Sequence, residues 1–168
     1  FYSGDRFQCY ASIRGKMAPA LFAALQAPGG ACGLPAASVT KSFAPATVAL
    51  GGGATLTIRL NNLSNPAMSL TGAQVQDVLP APLVIDGTIT RSCTGGTLTG
   101  AVGGSTLALS GTTIPTGGCS VTVPVRWPYA PGAASCPAGA PTTATNTITP
   151  PAQFSTDQGQ STTPATAT

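Results

Sequence analysis

Three polar residues of this 168-residue chain lie on strand patterns, two of them, Lys41 and Asp77, where alternation turns side chains inward, and the third, Asn146, late in the chain. Lys41 shares parity with Val39 and Phe43. Asp77 shares it with Val75 and Leu79, and Asn146 lies on a late strand. A lysine on a first strand, an acid in the middle and an asparagine near the end are the ingredients of a self-formed Lys–Asn isopeptide bond. A buried carboxylic acid can shuttle protons, and apolar burial lowers the lysine pKa. The competing expectation is ordinary. Strand rims carry such residues with solvated side chains, and Asp77 would then accept hydrogen bonds from loop amides.

Other chemistry has little to work with. The chain has no His and no Glu, and its four acids are Asp5, Asp77, Asp86 and Asp157. A serine nucleophile would lack its base, so no enzyme is expected. Asp157-Gln158-Gly159 could join Asp86 or Asp77 at calcium, but calcium wants six to eight oxygens, so a polar turn is the better reading. Asp86-Gly87 likewise reads as a turn. The five cysteines, Cys9, Cys32, Cys93, Cys119 and Cys136, have no CxxC spacing. Disulfides in an oxidising compartment are expected rather than zinc, and no cofactor. An odd count leaves one thiol over. Cys9 with Cys32 is the local pairing, leaving Cys136; Cys32 with Cys136 is the alternative. Asn62-Leu63-Ser64 has the form of a glycosylation sequon and reads as a chance match, though its loop position would permit a glycan. Trp127, Pro128 and Tyr129 form the aromatic cluster of the second region, a carbohydrate platform or, by parity, a core or rim patch.

Composition narrows the setting. Charged residues make up 7% of the chain and the net charge is +3. Scattered basic residues make no stripe, so nucleic acid is not an expected partner. No apolar run approaches the roughly 20 residues of a membrane span. There are 25 Thr, 21 Gly and 16 Pro. Threonine is β-branched and faces water without charge, which suits an extracellular β-protein. The chain starts at Phe1 without an initiator Met and is read as a mature or trimmed form.

Two regions follow. Residues 1–37 are an extension. Within it Phe7, Cys9, Ala11 and Ile13 alternate with polar residues as one amphipathic strand, and Lys16 to Gln26 reads as a short helix stopped by Pro28-Gly29-Gly30. Residues 38–168 read as successive short strands. Leu56, Ile58 and Leu60 share one face, as do Leu107 with Leu109, and Cys119, Val121, Val123, Val125 and Trp127. Gly pairs supply the turns. Pro124 cannot donate to a ladder, which predicts an edge strand or a bulge there. The class is all-β, an immunoglobulin-like antiparallel sandwich carrying a strand-plus-short-helix extension.

The runs Thr40-Lys41-Ser42-Phe43-Ala44-Pro45-Ala46-Thr47, Gly51-Gly52-Gly53 and Leu56-Thr57-Ile58-Arg59-Leu60-Asn61-Asn62 resemble a known family. So do Leu70-Thr71-Gly72, Asp77-Val78-Leu79-Pro80 with Leu83-Val84, and Ser92-Cys93-Thr94-Gly95-Gly96. Gly118-Cys119-Ser120-Val121-Thr122-Val123, Thr145-Asn146-Thr147-Ile148 and Thr156-Asp157-Gln158-Gly159 continue the match. The family is the bacterial surface-repeat domains of uncharacterised function in long secreted proteins, which commonly stand as tandem immunoglobulin-like beads. The resemblance implies that fold over residues 38–168 and a Cys93–Cys119 disulfide. Two departures stand out. The extension has no counterpart, and Thr166-Ala167-Thr168 offers little apolar surface for a last strand, predicting an incomplete sheet edge.

The expected function is structural. One reading is a subunit of a surface filament, copies joining head to tail by strand exchange through Phe7, Cys9, Ala11 and Ile13. The other is a stalk or adhesive bead that meets a surface glycan.

Overall fold

The computed structural model describes residues 36–49, 51–62, 68–128 and 142–168. The predicted N-terminal strand and helix, the Cys9 and Cys32 pairing and the Cys136 loop lie outside the described residues.

Eleven strands follow in order: β1 (Ser38–Ala44), β2 (Gly53–Asn61), β3 (Leu70–Val78), β4 (Val84–Ile85), β5 (Thr90–Arg91), β6 (Thr97–Gly100), β7 (Thr106–Ile114), β8 (Cys119–Arg126), β9 (Asn146–Ile148), β10 (Phe154–Ser155) and β11 (Ala165–Ala167). The described residues contain no helix. One sheet runs β1-β2-β8-β4, with β5 also pairing β8. A second runs β10-β3-β7-β6, and β11 pairs β9. All ladders between these strands are antiparallel. The expected all-β sandwich is present.

Alternation builds the core. Leu56, Ile58 and Leu60 of β2 and Val121, Val123 and Val125 of β8 face Val75 of β3 and Leu107 and Leu109 of β7 in one buried cluster. On β2 and β8 the other parity carries Thr55, Thr57, Arg59, Ser120, Thr122, Pro124 and Arg126, none of them buried. Phe154 joins this core from the two-residue strand β10 and is 1% exposed, though two residues carry no period to read.

Pro124 departs from expectation. It lies on β8, an interior strand, opposite Thr55 of β2. Its carbonyl accepts from the Asp86 amide at 2.8 Å, so in extended backbone its nitrogen also faces the β4–β5 side. There β8 is flanked by two short strands with a gap between them, and the missing N–H faces that gap. Gly87 makes room, since a Cβ there would come within 3.2 Å of the proline ring. Interior Pro is tolerated because the neighbour on one side is interrupted.

The last strand also departs from expectation. Ala165 and Ala167 of β11 are buried, and β11 pairs β9 and packs beside β1. Thr147 and Thr166, and Thr145 and Thr168, meet hydroxyl to hydroxyl at 3.3 and 3.1 Å. Small side chains complete the strand, which β9 pairs along one side.

On β3 the inward positions shift from Leu70 to Ala73 and Val75 through register breaks. Gly72, at φ +61°, makes the bulge, and a Cβ there would run into the Asp157 carboxylate. That carboxylate accepts from the Thr71 hydroxyl at 2.9 Å, while Gln158 accepts from the Thr71 amide at 2.9 Å. Gly72→Ala should cost about 2 kcal/mol, combining left-handed strain with displacement of Asp157. A drop in the urea midpoint at constant slope would show it.

Candidate functional site

The bulge on β3 decides what the inner face presents beyond it. With Val75 inward, Asp77 two residues on is inward too, and it is 0% exposed. Across the sandwich, β1 lies at the edge of the other sheet, and Lys41 points in from it with its side chain fully buried. β9 contributes Asn146, 1% exposed. The three residues predicted from parity and chain position therefore meet, from both sheets and the β9–β11 pair.

Lys41 Nζ donates to both oxygens of Asp77, at 2.8 Å each. Asn146 Nδ2 donates to Asp77 Oδ2 at 3.1 Å. One carboxylate oxygen thus holds the amine and the amide together. Asn146 Oδ1 is buried and has no hydrogen-bond partner among the described residues. Burial holds Lys41 below its ordinary value of 10.5, while the hydrogen bond and charge of Asp77 pull it back up.

The arrangement is costly as a plain structural device. Two charges taken out of water are repaid only with further hydrogen bonds, and apolar residues of similar volume often serve as well or better. An unsatisfied carbonyl adds the desolvation of one more polar atom. What the three groups can do is acid–base chemistry at an amide: an amine, a carboxyl that can take and return its proton, and a carboxamide on the same oxygen.

The other candidates separate. Asp86 pairs with Arg126 at 2.9 Å on the surface, and Asp157 is tied to Thr71. The aspartates of the suggested calcium set are therefore each engaged apart. Among the described residues no three His, Cys, Asp or Glu side chains gather as a metal site. Asn62 corrects the sequon reading. It is 2% exposed, and its Nδ2 donates to the Met68 carbonyl at 2.8 Å and the Pro115 carbonyl at 3.3 Å. A glycan would have to replace those bonds inside the fold. Nothing in the alternation pattern marks Asn62 as buried, because the carbonyls it donates to include that of Pro115, 53 residues away.

Cys93 and Cys119 form a disulfide with Cα atoms 5.0 Å apart. The β5–β8 register, Thr90 opposite Thr122 and Arg91 opposite Val121, continues through Ser92, whose amide donates to Ser120 O at 2.9 Å. One step further sets Cys93 against Cys119. Thr94 then bridges to Thr113 of β7, so the disulfide sits where the chain leaves one sheet for the other.

Trp127 is partly buried against the core, as parity suggested. With Phe43, Leu83, Val125, Ala144 and Thr168 it lines a cleft of about 470 Å³ at one end of the sandwich.

No curated protein matches this chain. Among solved structures, the solution structure of the chitin-binding domain of Chi18aC from Streptomyces coelicolor is similar at 19% identity, covering 56% of this chain and 84% of that one with a TM-score of 0.33. A likeness at that score carries no argument. The family comparison is of another order: a domain family of unknown function, DUF7933, matches residues 37–168, the whole of the β-region with its lysine, aspartate, asparagine and disulfide, and the chain belongs to that family.

Proposed function

We propose that this chain is a non-catalytic structural module of a secreted bacterial surface protein. The observation that carries the reading is where the polar chemistry goes. Lys41, Asp77 and Asn146 join strands inside the core, with the Lys41 and Asp77 side chains fully buried and Asn146 1% exposed. The Cys93–Cys119 disulfide fits an oxidising compartment.

The finer reading is a filament subunit that donates the Phe7, Cys9, Ala11 and Ile13 strand to the next copy. An acceptor edge supports it. β6 is four residues long, largely exposed, and pairs only β7 among the described residues. Such an edge is a template for strand addition. A head-to-tail contact of that kind does not close and grows a fibre. Deleting residues 1–15 should abolish fibres in negative stain and leave a soluble β-domain. Fibres that form unchanged from the shortened chain contradict strand donation.

The second reading, a stalk or adhesive bead, has the Trp127 cleft in its favour, because an indole flanked by threonines suits stacking on a sugar ring. Isolated beads in stain, with tryptophan fluorescence that shifts on titration with oligosaccharide, would favour it over the filament.

A further inference from the structure

We infer that Lys41 and Asn146 become joined by an amide bond inside the folded domain, with Asp77 moving the protons. This goes beyond the structural reading above and rests on its own observation: a buried amine, carboxyl and carboxamide meeting on one carboxylate oxygen.

The steps balance without any outside reactant. The proton on Lys41 Nζ passes along its 2.8 Å hydrogen bond to Asp77, leaving a neutral amine and a neutral acid. Two neutral groups suit this dry site better than two charges. The Asn146 carboxamide turns end for end, bringing Oδ1, which lacks a partner, to the Asp77 hydroxyl. That hydrogen bond draws electrons from the carbonyl and makes Cγ electrophilic. The amine lone pair attacks Cγ, forming the N–C bond as the C=O π pair moves to oxygen, which takes up the Asp77 proton. Asp77, now a carboxylate, takes a proton from the cationic Nζ and passes it to the amide nitrogen. The C–N bond breaks, the carbonyl re-forms, and ammonia leaves as the oxygen's proton returns through Asp77. One N–C bond is made and one is broken, and nothing is oxidised or reduced. Proximity does most of the work, because the fold holds amine and amide at one carboxylate as a single intramolecular pair. Proton transfer by a placed carboxyl typically adds about 10²–10⁴-fold.

The product also removes the cost noted above. The buried ammonium charge disappears, and the new amide offers one N–H and one carbonyl to a single acid. Asp77 can answer both, as acceptor and donor.

The full chain is measured by intact mass under denaturing conditions after complete reduction, then digested and sequenced by fragmentation. The expected result is a mass short of the sequence by one ammonia and a branched peptide joining Lys41 to Asn146. Lys41→Arg, Asn146→Ala and Asp77→Ala should each restore the full sequence mass. A wild-type chain at full sequence mass overturns the inference. So does a loss of ammonia that survives Lys41→Arg, which marks asparagine cyclisation. The wild-type branched peptide decides the matter even if a variant fails to fold. Failure here leaves the fibre and bead tests of the structural reading untouched.

Discussion

Asp77→Ala is expected to destabilise the domain by at least about 3–5 kcal/mol, the cost of leaving a buried charge without its partner. Asp77 has no solvent exposure and the Lys41 side chain has none, so water cannot take over the aspartate's part without opening the sandwich. Asn146 Nδ2 loses its acceptor in the same change. The sign with pH follows from Lys41. Burial lowers its pKa from 10.5, and the two effects that oppose the lowering both come from Asp77. Without Asp77 the folded state sheds the lysine proton more readily still, while the unfolded chain keeps it up to its ordinary value. The unfolded state then binds more protons over that interval, so stability rises with pH there. Urea unfolding of the variant should show a deficit that narrows as the pH climbs toward 10.5. The Lys41→Met, Asp77→Leu double variant should recover the part of the loss that comes from the buried charge, but not the part that a Lys41–Asn146 bond supplies. A deficit of under about 1 kcal/mol in Asp77→Ala would mean that the pair is solvated as a surface pair is.

Removing both Cys93 and Cys119 by alanine should cost about 3.5 kcal/mol, the order expected for releasing a loop of sequence separation 26. Both cysteines are buried, and replacing the pair together avoids a lone thiol that could bond elsewhere in a five-cysteine chain. The physical source is the unfolded chain, which the bond confines where the backbone passes from β5 toward β6. In a domain of this size the melting temperature should fall by roughly 10–15 °C. An unchanged midpoint in calorimetry would mean that the ladder from Thr90 to Ser92 holds the crossing without the bond.

How far the fold was legible depends on how each residue signals. Lys41 and Asp77 could be placed because each lies in a run with apolar residues at both even spacings, Val39 and Phe43 for one, Val75 and Leu79 for the other. Asn146 could be assigned to a strand but not aimed, since threonines flank it. That all three share one carboxylate is a fact of three-dimensional register, which the bulge at Gly72 sets and no period announces. The disulfide partner of Cys93 came from family likeness; the structure explains it through the continuing β5–β8 register. Three readings failed for separate reasons. Pro124 signals an edge, but its missing donor can face an interruption in a neighbouring ladder. Ala165 and Ala167 carry too little hydrophobicity to mark a strand. Asn62 belongs to a residue type that normally sits in water, and its burial goes with hydrogen bonds to the Met68 and Pro115 carbonyls, which no local pattern announces.

On the inference above, the first strand of this module and a late strand are tied to each other by the Lys41–Asn146 bond. Pulling single molecules by their ends tests it most directly, because Lys41 and Asn146 lie on strands near opposite ends of the β-region. If the two are joined, residues 42–145 bear no load. Extension of the β-region should then stop at roughly 90 Å, from the residues outside the tie at full stretch. Asp77→Ala should release the remainder. An extension on the order of 350 Å from the wild-type chain, the length freed when only the disulfide restrains it, would contradict the account.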